Sequence, residues 1–150
     1  MSVNGLDGIG DRLLVIFDGH CVFCNRSVRW FLTRDRRDRL RFAPYESPKI
    51  AGVLAWHGIG ALEPALGPST FLVVRDLGSP AERLLIRSDG VLTVLRELPR
   101  PWPAVATVLG WVPRAVRDLG YRLIAHWRYR LWGRLESCPV PTAEERGRFL

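Results

Sequence analysis

Leu13-Leu-Val-Ile-Phe-Asp-Gly-His-Cys-Val-Phe-Cys-Asn25 is the stretch in which the chain changes its pattern. Its first five residues are continuously apolar, as in a strand buried on both faces, and Asp18-Gly19 ends the run. From Cys21 the pattern turns helical. Cys24, Ser27, Val28, Phe31 and Leu32 recur at three- and four-residue spacing, while Arg26, Arg29, Arg34 and Arg36 take the other face. Cys21 thus stands at a helix start, where unpaired backbone N–H groups and the positive end of the helix dipole favour thiolate over thiol. Cys24 follows about one turn on, within reach of a disulfide. The stretch predicts dithiol chemistry at the end of a first strand.

Working outward, Leu40 to Ala43 reads as a second strand closed by Pro44, and Pro48 to about His57 as a second helix with proline in its first turn. Phe71 to Arg75 and Glu82 to Arg87, joined across the turn Asp76 to Pro80, read as an antiparallel hairpin. Ser88 is expected to cap a third helix running to Leu98, with Asp89 in its first turn. The expected fold class is α/β. The order β-α-β-α-β-β-α resembles the thioredoxin core, followed by a C-terminal helical extension.

Three parts are expected: a flexible, Gly- and Asp-rich tail over residues 1–11, a thioredoxin-like domain over 12–99, and a helical extension over 100–150 packed on the same domain. Within the extension, Val116, Leu119, Leu123, Ile124, Trp127 and Leu131 recur at helical spacing among arginines. Docking on the core through Val116, Leu119, Leu123, Trp127 and Leu131 is the expectation; a membrane-surface or partner helix is the alternative.

The motif Asp18-Gly19-x-Cys21-x-x-Cys24 resembles the DCC family of thiol-disulfide oxidoreductases. The far end supports it: the segment Arg114 to Arg134, ending Arg-Tyr-Arg-Leu-Trp-Gly-Arg, and the later Cys138-Pro-Val-Pro resemble that family's Arg-Tyr-Arg-x-x-Gly segment with its following Cys. The resemblance runs from about residue 13 to 141. It implies a thioredoxin-like fold and exchange of disulfides with a protein or small-thiol substrate, with a separate redox donor or acceptor and no organic cofactor.

Candidate roles follow from position. Cys21 is expected to be the exposed, attacking thiol, and Cys24, on the apolar face, the resolving thiol that releases a mixed disulfide. His20 is either an electrostatic helper of the neighbouring thiolate or a polar loop residue. Asp18 is either a turn residue or the proton acceptor for Cys24. Gly19, in the same turn, is a candidate substrate-binding residue. Pro68 and Ser69 stand where thioredoxin-like folds place a cis-proline loop that pairs with substrate backbone, although a trans-proline closing a loop fits the same residues. Cys138 is either a third exchanging thiol or an isolated one.

Other chemistries fare worse. A closed zinc site needs four ligands, and Cys138, His20, His57 and His126 offer no second paired spacing, so no metal is expected. Val-Ile-Phe-Asp-Gly is similar to the first motif of haloacid-dehalogenase-like phosphatases, but Ile16 stands where their nucleophilic Asp is required. The formal charge of +7 on 150 residues is almost all arginine, Lys49 being the single lysine. These arginines are scattered rather than clustered, which gives no firm nucleic-acid signal. A basic module for membrane surface, nucleic acid or partner protein is nonetheless the rival reading. The early apolar run is too short for a signal peptide, and three cysteines suit a reducing compartment, so a cytoplasmic location is expected.

Overall fold

The computed structural model describes residues 6, 9–45, 47–58, 71–133 and 142–150. Strand β1 (Leu13–Phe17) is buried at every position, as its unbroken apolar run requires. It pairs in parallel with β2 (Leu40–Pro44), Leu13 opposite Leu40 and Phe17 opposite Pro44. On its other side it runs antiparallel to β3 (Leu72–Arg75), Ile16 opposite Leu72. Strand β3 continues the hairpin to β4 (Arg83–Ile86), giving the sheet order β2-β1-β3-β4.

The two-residue period of β1 divides the core. Leu13, Val15 and Phe17 face Val28 and Phe31 of helix α1 (Val22–Arg34) and Leu92 and Leu95 of a later helix. Leu14 and Ile16 face the opposite side, where they meet Ile50 and Val53. The segment expected as one second helix is a short 3-10 turn (Pro48–Ile50) leading into α2 (Ala51–Trp56). The architecture is thioredoxin-like: a mixed four-stranded sheet with helices on both faces and the cysteine pair after the first strand.

Helix α3 (Arg87–Glu97) follows β4 directly. Gly90 lets it pack closely there, since a Cβ would lie 3.1 Å from the Val73 side chain and 3.3 Å from the Leu85 carbonyl, tighter than ordinary contact. The expected Ser88 cap is corrected: the N-cap position is Ile86, and the Ser88 hydroxyl instead donates a hydrogen bond to Asp118. Two further helices follow in the extension, α4 (Trp102–Gly110) and α5 (Arg114–Trp132), with a 3-10 turn (Arg146–Arg148) near its end. At the N-terminal end, Leu6 and Ile9 are buried in the second core cluster, so at those two positions the expected loose tail is packed.

The face by which α5 meets the domain also differs from expectation. Val116, Leu119, Leu123, Trp127 and Leu131, the predicted docking stripe, are all exposed. The inner face uses polar groups. Arg117 pairs with Asp89 at 3.1 Å, and the Tyr121 hydroxyl accepts a hydrogen bond from the Phe71 N–H at 2.8 Å. Burial pushes the Asp118 carboxyl up, but the hydrogen bonds from Ser88 and the nearby Arg114 and Arg87 outweigh it and hold the carboxyl below its ordinary value. The Trp132 ring closes the end of the helix on Phe23, with centroids 4.6 Å apart. Periodicity identified the helix and its apolar stripe; the partners that orient it lie some thirty to a hundred residues away in the chain and leave no local trace.

Candidate active site

The site is built from the turn that joins β1 to α1. Cys21 is the N-cap of α1, with extended backbone (φ −86°, ψ 121°), and its Sγ accepts a hydrogen bond from the Cys24 N–H at 3.3 Å. This N–H is one of those that a helix start leaves without a backbone partner, and here a sulfur takes the place of the usual capping oxygen. Hydrogen-bond donation and the dipole both favour negative charge on that sulfur.

The preceding turn is closed by side chains as well as backbone. An Asp18 carboxylate oxygen accepts from the His20 N–H at 3.0 Å, and the Asp18 carbonyl from the Cys21 N–H at 3.3 Å. This is the turn role foreseen for Asp18, a carboxylate bonding its own backbone two residues on. Gly19 is buried beneath it. Asn25, which the sequence reading passed over, donates its amide to the Gly19 carbonyl at 2.7 Å and the Cys21 carbonyl at 2.9 Å. Its signal was available: an amide four residues after the first Cys, on a helix whose other polar positions are mostly arginine.

Asp18, Gly19, His20, Cys21 and Cys24 are thus brought together at one end of β1, but their exposure reverses the expectation. Cys21, predicted to be open, has no accessible surface, whereas Cys24 is half-buried. The capping geometry accords with this, because the Cys21 side chain folds back over the first turn to accept the Cys24 N–H. Cys24 instead contributes to the wall of an apolar cavity of about 440 Å³ between α1, α3 and α5. Phe31, Phe71, Leu92 and Ile124 line it, and its floor is tied to α5 by the Tyr121 contact.

Pro68, Ser69 and Cys138 lie outside the described residues. Among the described residues no group of three His, Cys, Asp or Glu side chains could hold a metal ion.

Comparison with known proteins places this geometry in a family context. The family model for DCC1-like thiol-disulfide oxidoreductases matches residues 15–134, which include the turn, both cysteines and all but the end of the extension. A chloroplastic DCC family protein of Arabidopsis thaliana is 32% identical over 129 residues, covering 86% of this chain and 70% of its own length. The uncharacterized protein YuxK of Bacillus subtilis is 29% identical over 142 residues, covering 95% of this chain and 96% of its own. No solved structure matches the chain significantly.

Proposed function

The chain belongs to the DCC1-like thiol-disulfide oxidoreductase family, and from that premise we propose that Cys21 and Cys24 catalyse thiol–disulfide exchange with a protein or low-molecular-weight disulfide. The observation that carries this reading is the 3.3 Å hydrogen bond from the Cys24 N–H to the Cys21 sulfur at the start of α1. A donor aimed at the Cys21 sulfur favours negative charge there, and its partner thiol lies one turn away.

In the reducing direction, the Cys21 thiolate attacks one sulfur of a substrate disulfide. A Cys21–substrate disulfide forms, the substrate S–S bond breaks, and one substrate thiolate leaves. Cys24 then loses its proton and attacks the Cys21 sulfur, closing the Cys21–Cys24 bond and expelling the second substrate thiolate. The substrate gains two electrons and the enzyme dithiol loses two; a separate thiol donor restores it. Asp18, whose carboxyl is buried at the foot of the turn, is the candidate acceptor for the Cys24 proton, and Gly19, beside it, the candidate backbone contact for substrate. His20 adjoins the thiolate as its electrostatic neighbour. A reducing compartment such as the cytoplasm suits a resting dithiol.

Because Cys21 has no accessible surface, the first attack requires a local opening that exposes its sulfur. The order of attack is tested by trapping. With oxidised glutathione as probe, Cys24→Ser should accumulate a mixed disulfide on Cys21, since the thiol that resolves it is gone. Cys21→Ser should accumulate little adduct on Cys24. Rapid adduct formation on Cys24 of Cys21→Ser, with a slow reaction at Cys21 of Cys24→Ser, would reverse the two roles.

A further inference from the structure

Among its described side chains, the face of α5 turned away from the domain carries a long apolar stripe, and we infer that it docks on the surface of an anionic lipid bilayer. The five side chains once expected to pack inward are joined there by Ile124, half exposed. At the end of α4, Leu109 and Trp111 are exposed as well, the latter 78%. At about 1.5 Å per residue, the 19 residues of α5 extend roughly 28 Å, a long apolar stripe for a monomer to leave in water.

Charge selects the occupant. The single acidic residue of α5, Asp118, is turned inward to Ser88, while Arg122 and Arg130 are exposed beside the stripe. The Arg130 guanidinium lies over the Trp127 ring, 5.1 Å from its centroid, so a cation and an interface-seeking aromatic ring are held together. A second copy docked face to face would bring these arginines against like charges, which disfavours self-association. Anionic headgroups complement them, and the chain as a whole carries a formal charge of +7. Among the described residues no helix is long and apolar enough to cross a membrane, so the geometry is that of a helix lying in the interface.

The stripe also connects with the cysteine pair. Leu109 and Ile124 belong both to the exposed apolar surface and to the wall of the cavity that Cys24 lines. A bilayer bound at α5 would therefore meet an apolar route toward Cys24. That consequence rests on the dithiol reading; the docking itself does not.

The test uses the full chain in flotation with vesicles of phosphatidylcholine alone and with about one third phosphatidylglycerol, at low and high salt. Binding is expected to the anionic vesicles, weakened by salt. Leu123→Glu with Trp127→Glu should lower it at least about tenfold, and Arg122→Gln or Arg130→Gln about fivefold each. Both substitutions to glutamate lie on exposed positions, so reduction of a small-molecule disulfide should continue unchanged in that variant. The Cys21→Ser, Cys24→Ser variant should float like the parent chain, which separates failure of docking from failure of the exchange reading. Equal binding to neutral vesicles, binding indifferent to the glutamates, or no binding would each overturn the inference. So would a concentration-dependent dimer in sedimentation equilibrium that Leu123→Glu dissolves, since the stripe would then belong to a second copy.

Discussion

The β1–α1 junction and helix α5 both announce themselves by helical periodicity, yet the apolar residues of one end in the core and those of the other on the surface. In α1, Val28 and Phe31 are buried in the core, as their spacing predicts. In α5, the apolar stripe faces outward, and the helix is held by Arg117, Asp118 and Tyr121. An amphipathic pattern says that a helix has an apolar side; it does not say what that side touches. For α1 the chain itself forces the answer, because a helix that leaves a buried strand after a four-residue turn has only the sheet to cover. Helix α5 is preceded by α4 and free of that constraint.

The largest contrast is expected at the N-cap. Cys21→Ser should abolish dithiol turnover, lowering it by two orders of magnitude or more, roughly to the uncatalysed rate. Serine is a favoured N-cap residue, so the thermal midpoint should hold or rise. Together these outcomes would mark the junction as a place where one side chain serves local structure and chemistry separately. Turnover surviving the change would break the comparison at its chemical end.

Next in size is the packed face of α1. Phe31→Ala removes a nearly buried ring that touches both the core and the cavity, and should cost about 3–5 kcal/mol in denaturant unfolding. A loss under about 1 kcal/mol would mean that α1 is no more firmly seated than α5.

A smaller effect should appear with pH at the polar seat of α5. The folded-state carboxyl of Asp118 lies below its ordinary value, so it favours the folded form where it is ionised. That contribution is fully present above the unfolded value of about 3.9 and is lost as pH falls through the lowered folded value. The difference in thermal midpoint between the parent chain and Asp118→Asn should therefore be constant near neutrality and shrink on acidification below about pH 4. A difference that grew in acid would show that the carboxyl is not held by Ser88 and the arginines.

Much of the fold was legible because its determinants are close in sequence. The unbroken run Leu13 to Phe17 identified a buried strand, and the turn residues Asp76 to Pro80 identified the hairpin. At the site, the same locality made Asp18, Gly19 and the cysteine pair readable as a motif. The exposure of the two sulfurs was not, since it goes with the Cys21 side chain capping its own helix, a contact that residue types alone do not reveal. Ser88 shows the limit from the other direction. Its position before a helical run is a good capping signal, but the helix already begins at Arg87 with Ile86 as its N-cap, and the Ser88 hydroxyl, inside the first turn, donates to a carboxylate thirty residues away.

The smallest expected effect is the most discriminating. Leu123 sits mid-stripe on α5, 54% exposed, and Leu123→Ala removes side-chain atoms that touch mainly solvent while installing the best helix former. Its unfolding free energy should stay within about 0.5 kcal/mol of the parent value, measured by denaturant titration with an unchanged slope. The same truncation of a buried leucine costs about 2–5 kcal/mol, so the two orientations of the helix are separated by far more than the error of the method. A loss of that size would turn the stripe back toward the core, remove the surface on which bilayer docking depends, and make α1 and α5 two instances of one packing rule. A neutral result, with vesicle binding lost in the glutamate variant, would leave the stripe serving an outside surface and contributing nothing to the fold.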